Sequence, residues 1–256
     1  MVIRPNPVRA ALADNRPVIG TFAWSRSTSA IEIIGHLGFD YVVIDNEHTA
    51  IALDQTEHLI RAAESAGITP VVRVSELNRA TITRALDSGA GGIIVPQIHS
   101  AADAHYAAQA AKYHPLGRRG MAQGRAAGFG IAGLEDYYTL ANNETLLIVQ
   151  VETRDAVEHL PSILGVPGVD AVLIGPLDLS QSLGYPGQVD LPAVRMVTER
   201  IIEQTRAAHM PVGIYSADAA TARYWRNQGC RLLLMSTDLH FMAGALRTAL
   251  AEWRAD

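Results

Sequence analysis

Glu152 and Asp178 each follow an apolar run, LLIVQV (146–151) and AVLIG (171–175), and each stands where a helix should begin. Read alone, either is a carboxylate favoured by a helix N-terminus. Read together, with Gln150 beside Glu152, they form an oxygen-rich set suited to a hard divalent cation. Mg²⁺ or Mn²⁺ takes one or two carboxylates and leaves positions for water and substrate. Arg73 is the only charge in PVVRV (70–74). It needs a buried partner such as Asp45 or Glu47, because an unpaired buried charge is costly, or it faces a substrate oxyanion. His48 comes three residues after Asp45, just past the run YVVID (41–45). Histidine is the side chain suited to acid–base work near neutral pH. His36, His58, His105, His159 and His209 fall in helical patterns and read as structural.

Imine chemistry needs a lysine amine as its nucleophile. The chain has 20 Arg and one Lys, Lys112. That lysine lies in AAQAAKYHP, in the helical stretch well past the fourth apolar run. The placement disfavours a Schiff base and favours a metal route.

These residues need a frame. Eight short apolar runs recur: 17–23, 41–45, 70–74, 92–96, 146–151, 171–175, 211–215 and 231–235. Continuous rather than alternating runs mark parallel strands covered on both faces. Helical patterns lie between them, including 53–67, 78–89, 100–113, 152–165 and 190–209. Asn78 and Ser100 read as N-caps, and Gly67, Gly89 and Gly165 as helix ends. Eight such units in 256 residues predict an α/β fold, a (β/α)₈ barrel. A doubly wound sheet would want a Gly-rich phosphate turn early in the chain, and WSRSTSA after the first run has no glycine. In a barrel the site lies at the C-terminal strand ends, where the polar residues above collect. Pro96, Gln97 and His99 follow the fourth run. Ser216, Asp218, Ser236 and Asp238 follow the last two and read as helix caps. The longest gap, about 114 to 145, is Gly- and Arg-rich and then holds the helical stretch LEDYYTLAN. A loop of that length is more often functional than not.

Composition narrows the class. With 48% apolar and 18% charged residues the chain is not disordered. A net charge of −5, with no basic cluster beyond Arg118 and Arg119, argues against nucleic acid as a partner. One cysteine, Cys230, points to a reducing cytoplasm. The N-terminus has no apolar signal region, and no run approaches a membrane span. With no repeat or linker, residues 1–256 read as one domain.

FDYVVIDNEHTA, PVVRV, LDSGAGGIIVP, LLIVQVETRDAV and GVDAVLIGPLDLSQSLG resemble, in order and spacing, the HpcH/HpaI family of metal-dependent pyruvate aldolases. Its members include 4-hydroxy-2-oxoheptanedioate and 2-keto-3-deoxy sugar-acid aldolases. The resemblance runs from about residue 17 to about 250. It implies a (β/α)₈ barrel, a divalent metal (Mg²⁺, Mn²⁺ or Co²⁺), no Schiff base, and a hexamer whose C-terminal helix is exchanged between subunits. By position, Glu152 and Asp178 match the metal ligands, and Arg73 matches the arginine at the pyruvate carbonyl oxygen. His48 matches the base, Asp87 an acid acting with it, and Asp45 an acid beside that site. Gln150 matches a polar residue beside the metal. Gly175, Leu177 and Asp178 match the turn that binds the substrate carboxylate.

Asn46, Thr49, Ala50, Leu177 and Gln97 depart from the usual pattern near the mouth, so they bear on the acceptor aldehyde more than on the reaction. Asn46 and Leu177 are placed to narrow the pocket or re-aim its polar groups. The activity implied is reversible cleavage of a 4-hydroxy-2-oxo acid to pyruvate and an aldehyde. Two rivals stand beside it. One is a metal-dependent lyase for malyl-CoA- or citryl-CoA-type esters, for which no basic patch suits CoA. The other is a non-catalytic barrel.

Overall fold

Eight parallel strands close into one barrel in the order β1 to β8. They are β1 Val18–Ala23, β2 Tyr41–Asp45, β3 Thr69–Arg73, β4 Gly92–Val95, β5 Leu146–Val151, β6 Ala171–Ile174, β7 Val212–Ser216 and β8 Leu232–Thr237. The computed structural model describes residues 5–131, 133–134 and 136–255. The ends of the 1–256 domain reading, and Glu135 in the stretch LEDYYTLAN, lie outside these. The helices are α1 Pro7–Ala13, α2 Thr28–His36, α3 Leu53–Ser65, α4 Arg79–Asp87, α5 Ala101–Ala111, α6 Tyr137–Glu144, α7 Arg154–Glu158, α8 Leu160–Leu164, α9 Pro176–Ser182, α10 Pro192–Ala207, α11 Ala219–Asn227 and α12 Asp238–Trp253. The expected barrel is therefore present, with each strand close to its apolar run. No described helix is long and apolar enough to cross a membrane.

Alternate strand residues point inward. Val18, Phe22, Tyr41, Val43, Val71, Ile94, Leu146, Ile148, Leu173 and Leu234 pack as one interior cluster. The other face of each strand packs under the helices in a second, larger cluster. Tyr41 reaches across β1 and donates its hydroxyl to the Leu233 carbonyl of β8 (2.7 Å). Gly20 makes room for it, since a Cβ there would collide with the Tyr41 ring. At the N-terminal end α1 adds Val8, Ala11 and Leu12 to the interior cluster and closes the barrel. The polar chemistry is left to the other end.

Asn78 and Ser100 cap α4 and α5 as expected, accepting from the N–H groups of Ala80 and Asp103. One expected helix, 152–165, is two short ones. Pro161 enters at the second position of α8 and has no N–H to carry α7 onward. The caps expected after β7 and β8 hold in part. Asp218 does cap α11, accepting from Thr221 N–H (2.8 Å). The cap of α12 is Thr237, not Ser236. Asp238 instead accepts from the N–H of Trp24 (2.8 Å) and of Ser25, binding the end of β1 to that of β8. The Ser216 hydroxyl is buried without a partner.

The long gap packs at the N-terminal end of the strands, because α5 runs back down the barrel before it begins. Arg125 pairs there with Glu64 and donates to the Ser88 carbonyl (2.8 Å). Arg119 donates to Asp87 (2.6 Å). Glu64, Thr69, Arg119, Arg125, Tyr137 and Glu144 help to line a cavity of about 540 Å³.

Candidate active site at the strand ends

Asp45 and Arg73 end neighbouring strands and stand opposite each other in the register. Both are buried, Asp45 at 0% and Arg73 at 5% exposure. Arg73 donates from Nε to Asp45 Oδ1 (2.9 Å) and from Nη2 to Oδ2 (2.7 Å). Its third nitrogen, Nη1, lies 3.1 Å from Glu47 Oε2. Its guanidinium carbon sits 4.4 Å from the centre of the Phe22 ring. Both partners named from the sequence are thus in place, and such a fork-on-carboxylate pair fixes direction as well as charge.

The same aspartate shapes the turn that carries His48. Asp45 Oδ1 accepts from the backbone N–H of Glu47 (3.0 Å) and of His48 (3.4 Å). Thr49 donates its hydroxyl back to the Asp45 carbonyl. His48 is left half-exposed, with Nε2 3.7 Å from Glu47 Oε2. Burial pushes the Glu47 carboxyl up to about 7, with Arg73 opposing and Asp45 and Asp178 adding to the rise.

Across the mouth, Glu152 is 1% exposed. It does not cap α7; Thr153 does, accepting from Ala156 N–H. Glu152 Oε1 accepts from the backbone N–H of Gln97 (2.8 Å), and Oε2 accepts from the Gln150 amide. Gln97 offers that N–H from a left-handed turn, φ +55°. Burial raises the Glu152 carboxyl, the two hydrogen bonds oppose, and Asp178 and Glu47 raise it further. Gln150 Oε1 is buried with no partner. Gly175 lets these groups crowd together, since a Cβ there would lie 2.5 Å from Glu152 Oε2 and 3.1 Å from Gln150 Nε2. Asp178 stands in the first turn of α9, and Leu177 beside it is 54% exposed.

The arrangement gathers carboxylates that raise one another and leaves an amide oxygen unpaired among them. Among the described residues no three Asp, Glu, His or Cys side chains stand together as metal ligands. The set is two carboxylates and an amide, which suits a hard cation that keeps open positions for water and substrate. At the same end of the barrel stand a fixed guanidinium and an accessible imidazole.

Two candidates lie elsewhere. Asp87 ends α4, at the opposite end of the barrel, and pairs with Arg119 there; the chain does not bring it to His48. Asn46 is tied to α3, its amide 3.1 Å from the Thr56 hydroxyl. His99 is held by Thr153 (3.1 Å) and belongs to the frame. Lys112 is also at the far end. It is 1% exposed and donates to Asp170 Oδ2 (2.8 Å) and to the carbonyls of Asn142 (3.2 Å) and Thr145 (2.6 Å).

Reading the sequence missed Phe22 beneath Arg73, Tyr215, whose ring lies 6.0 Å from Phe22, and the Gln97 backbone donor. Strand parity was the available signal for the two rings. Nothing in the residue type betrays the turn at Gln97.

Comparison with known proteins agrees with this geometry. The family model described as HpcH/HpaI aldolase/citrate lyase matches residues 18–245. The 2-keto-3-deoxy-L-rhamnonate aldolase of Klebsiella pneumoniae is 36% identical over 98% of this chain and 94% of its own. The hydroxypyruvate/pyruvate aldolase of Roseovarius nubinhibens is 34% identical over 98% of each. A solved HpcH/HpaI aldolase/citrate lyase family protein from Burkholderia cenocepacia superimposes with a TM-score of 0.93 at 35% identity, covering 98% of this chain and all of that one. On a match that runs through every strand of the barrel, the chain belongs to the HpcH/HpaI aldolase/citrate lyase family.

Proposed function

We propose that this aldolase cleaves 4-hydroxy-2-oxo acids reversibly to pyruvate, or a related 2-oxo acid, and an aldehyde, with a divalent metal as cofactor. The observation that carries the reading is the buried Glu152 carboxylate, raised by Asp178 and bonded by the Gln150 amide, whose oxygen is left unpaired, at the strand ends that also carry Arg73. Glu152 and Asp178 would hold the cation (Mg²⁺, Mn²⁺ or Co²⁺), with Gln150 beside them. When bound, the cation supplies a Lewis acid at the 2-oxo and carboxylate groups of the substrate.

The turn Gly175–Leu177–Asp178 receives the substrate carboxylate. Arg73 holds its charge against the carbonyl oxygen, where negative charge develops as the C3–C4 bond breaks. Asp45 and Glu47 keep that guanidinium aimed. His48 removes the C4 hydroxyl proton in cleavage and returns it in synthesis. The same groups suit loss of CO₂ from oxaloacetate as a side reaction. The two curated aldolases support this over an acyl-CoA lyase or a silent barrel.

We read the protein as a cytoplasmic homo-oligomer, a hexamer as the family resemblance implies, with α12 exchanged. Two observations support exchange. No residue of α12 is buried, and Met242, Leu246, Leu250 and Trp253 stand exposed along it. A groove of about 280 Å³, lined in part by Ile19, Ala222, Leu233 and Met235, lies where a covering helix would sit. A second copy would also be needed for Asp87 to act with His48, because one chain holds them at opposite ends.

A pyruvate-release assay on a panel of 4-hydroxy-2-oxo acids, run beside malyl-CoA, tests the reading. Pyruvate from members of the panel is expected. Cleavage of the CoA ester alone, or no turnover across the panel, would overturn it.

A further inference from the structure

Glu47 has no part in the reaction above beyond its contact with Arg73, yet its position is specific. Its Oε2 lies 3.1 Å from Arg73 Nη1 and 3.7 Å from His48 Nε2. The side chain is largely buried while the imidazole is half-exposed. One carboxylate oxygen therefore lies between the guanidinium at the reacting carbonyl and the base at the C4 hydroxyl. The backbone brings it there deliberately: the Asp45 carboxylate accepts from the N–H groups of both Glu47 and His48.

We infer that Glu47 is a positioning residue that links the base to the arginine: paired with Arg73 at 3.1 Å, its carboxylate sets the His48 imidazole at the mouth. The inference rests on His48 being the base of the proposed reaction.

The charged groups around Glu47 come from four elements. Asp45 on β2 and Asp178 on α9 push its proton affinity up, and Arg73 on β3 pulls it down. Glu152, after β5, is coupled to it as well.

Glu47→Gln keeps the shape and removes the charge. In the metal-loaded enzyme, kcat for retro-aldol cleavage should fall about tenfold while KM changes less than about threefold. The acid limb of kcat/KM should move down by about 0.5 to 1 pH unit. Glu47→Asp, which restores a carboxylate, should bring the limb part of the way back. A second reading needs no turnover. Diethyl pyrocarbonate acylates neutral imidazole, so carbethoxylation of His48 at pH 7, scored by peptide mass against exposed His58, should run about twofold faster in Glu47→Gln.

An unmoved limb with an unchanged His48 labelling rate would overturn the inference, whatever kcat does. If the wild type cleaves no 4-hydroxy-2-oxo acid, the aldolase reading falls. The labelling rate then still decides whether Glu47 acts on His48.

Discussion

Arg73 and Asp45 face each other in register on β3 and β2 and meet through two parallel hydrogen bonds, at 2.9 and 2.7 Å, with neither side chain open to water. The pair leaves Arg73 one nitrogen for Glu47 and rests the guanidinium on the Phe22 ring. Arg73→Lys keeps the charge but not the fork. Turnover should fall by about 10²-fold or more while metal affinity stays within a few-fold. Steady-state kinetics and metal titration on the same preparations check this. Asp45→Ala strands the buried guanidinium and should cost about 3 kcal/mol in denaturant unfolding.

Gly175 is required where Glu152 and Gln150 crowd together, for a Cβ would stand 2.5 Å from the Glu152 carboxylate. Gly175→Ala should displace that carboxylate and, on the proposed reading, weaken metal binding by about 10- to 100-fold. Calorimetric titration with Mn²⁺ reads the change directly. Gly20→Ala, inside the barrel, should instead lower stability, because its clash is with the Tyr41 ring.

Without metal, the site should make the fold sensitive to pH in an unusual direction. The Glu47 carboxyl is raised by burial from 4.5 to about 7, and Glu152 is raised as well. A carboxyl raised on folding binds more protons in the native state. Its contribution is therefore greatest below the unfolded value and is lost as pH climbs toward the folded one. The melting temperature of the metal-free protein should fall between about pH 4.5 and 7 through this site, and Glu47→Gln should flatten the slope.

Lys112 should matter to stability and not to chemistry. It is buried among Asp170 and two carbonyls, and burial lowers its proton affinity. Asp170 also holds Arg9 of α1 (2.5 Å) and accepts from the Leu147 N–H (2.8 Å). Lys112→Met should cost about 3 kcal/mol and leave turnover per folded molecule unchanged. Borohydride with pyruvate should leave Lys112 unmodified.

The frame was legible because strands buried on both faces leave short, continuous apolar runs between helical patterns. Arg73 was legible for the opposite reason: a charge inside such a run demands a partner, and Asp45 and Glu47 were the acids near enough in the pattern. Glu152 could be read as either ligand or cap from its position alone. The geometry removes the cap reading, because Thr153 does the capping.

What the sequence hid depends on side-chain direction. Asn46 lies in the motif yet points to Thr56, and Asp238 looks like a cap yet ties down Trp24. Asp87 occupies a motif position, but a helix running back down the barrel carries it away from His48 within one chain. Phe22 and Tyr215 face the mouth by strand parity, a signal too common among buried rings to single them out.

The central claim is that Glu152 and Asp178 hold a divalent metal on which the aldol cleavage depends. The direct measurement is retro-aldol turnover after exhaustive chelation, then after add-back of Mg²⁺, Mn²⁺ or Co²⁺, in the wild type and in Glu152→Ala. The account predicts that stripping abolishes turnover, that add-back restores it in the wild type, and that the variant neither binds metal nor recovers. Full turnover by the metal-stripped wild type would contradict it.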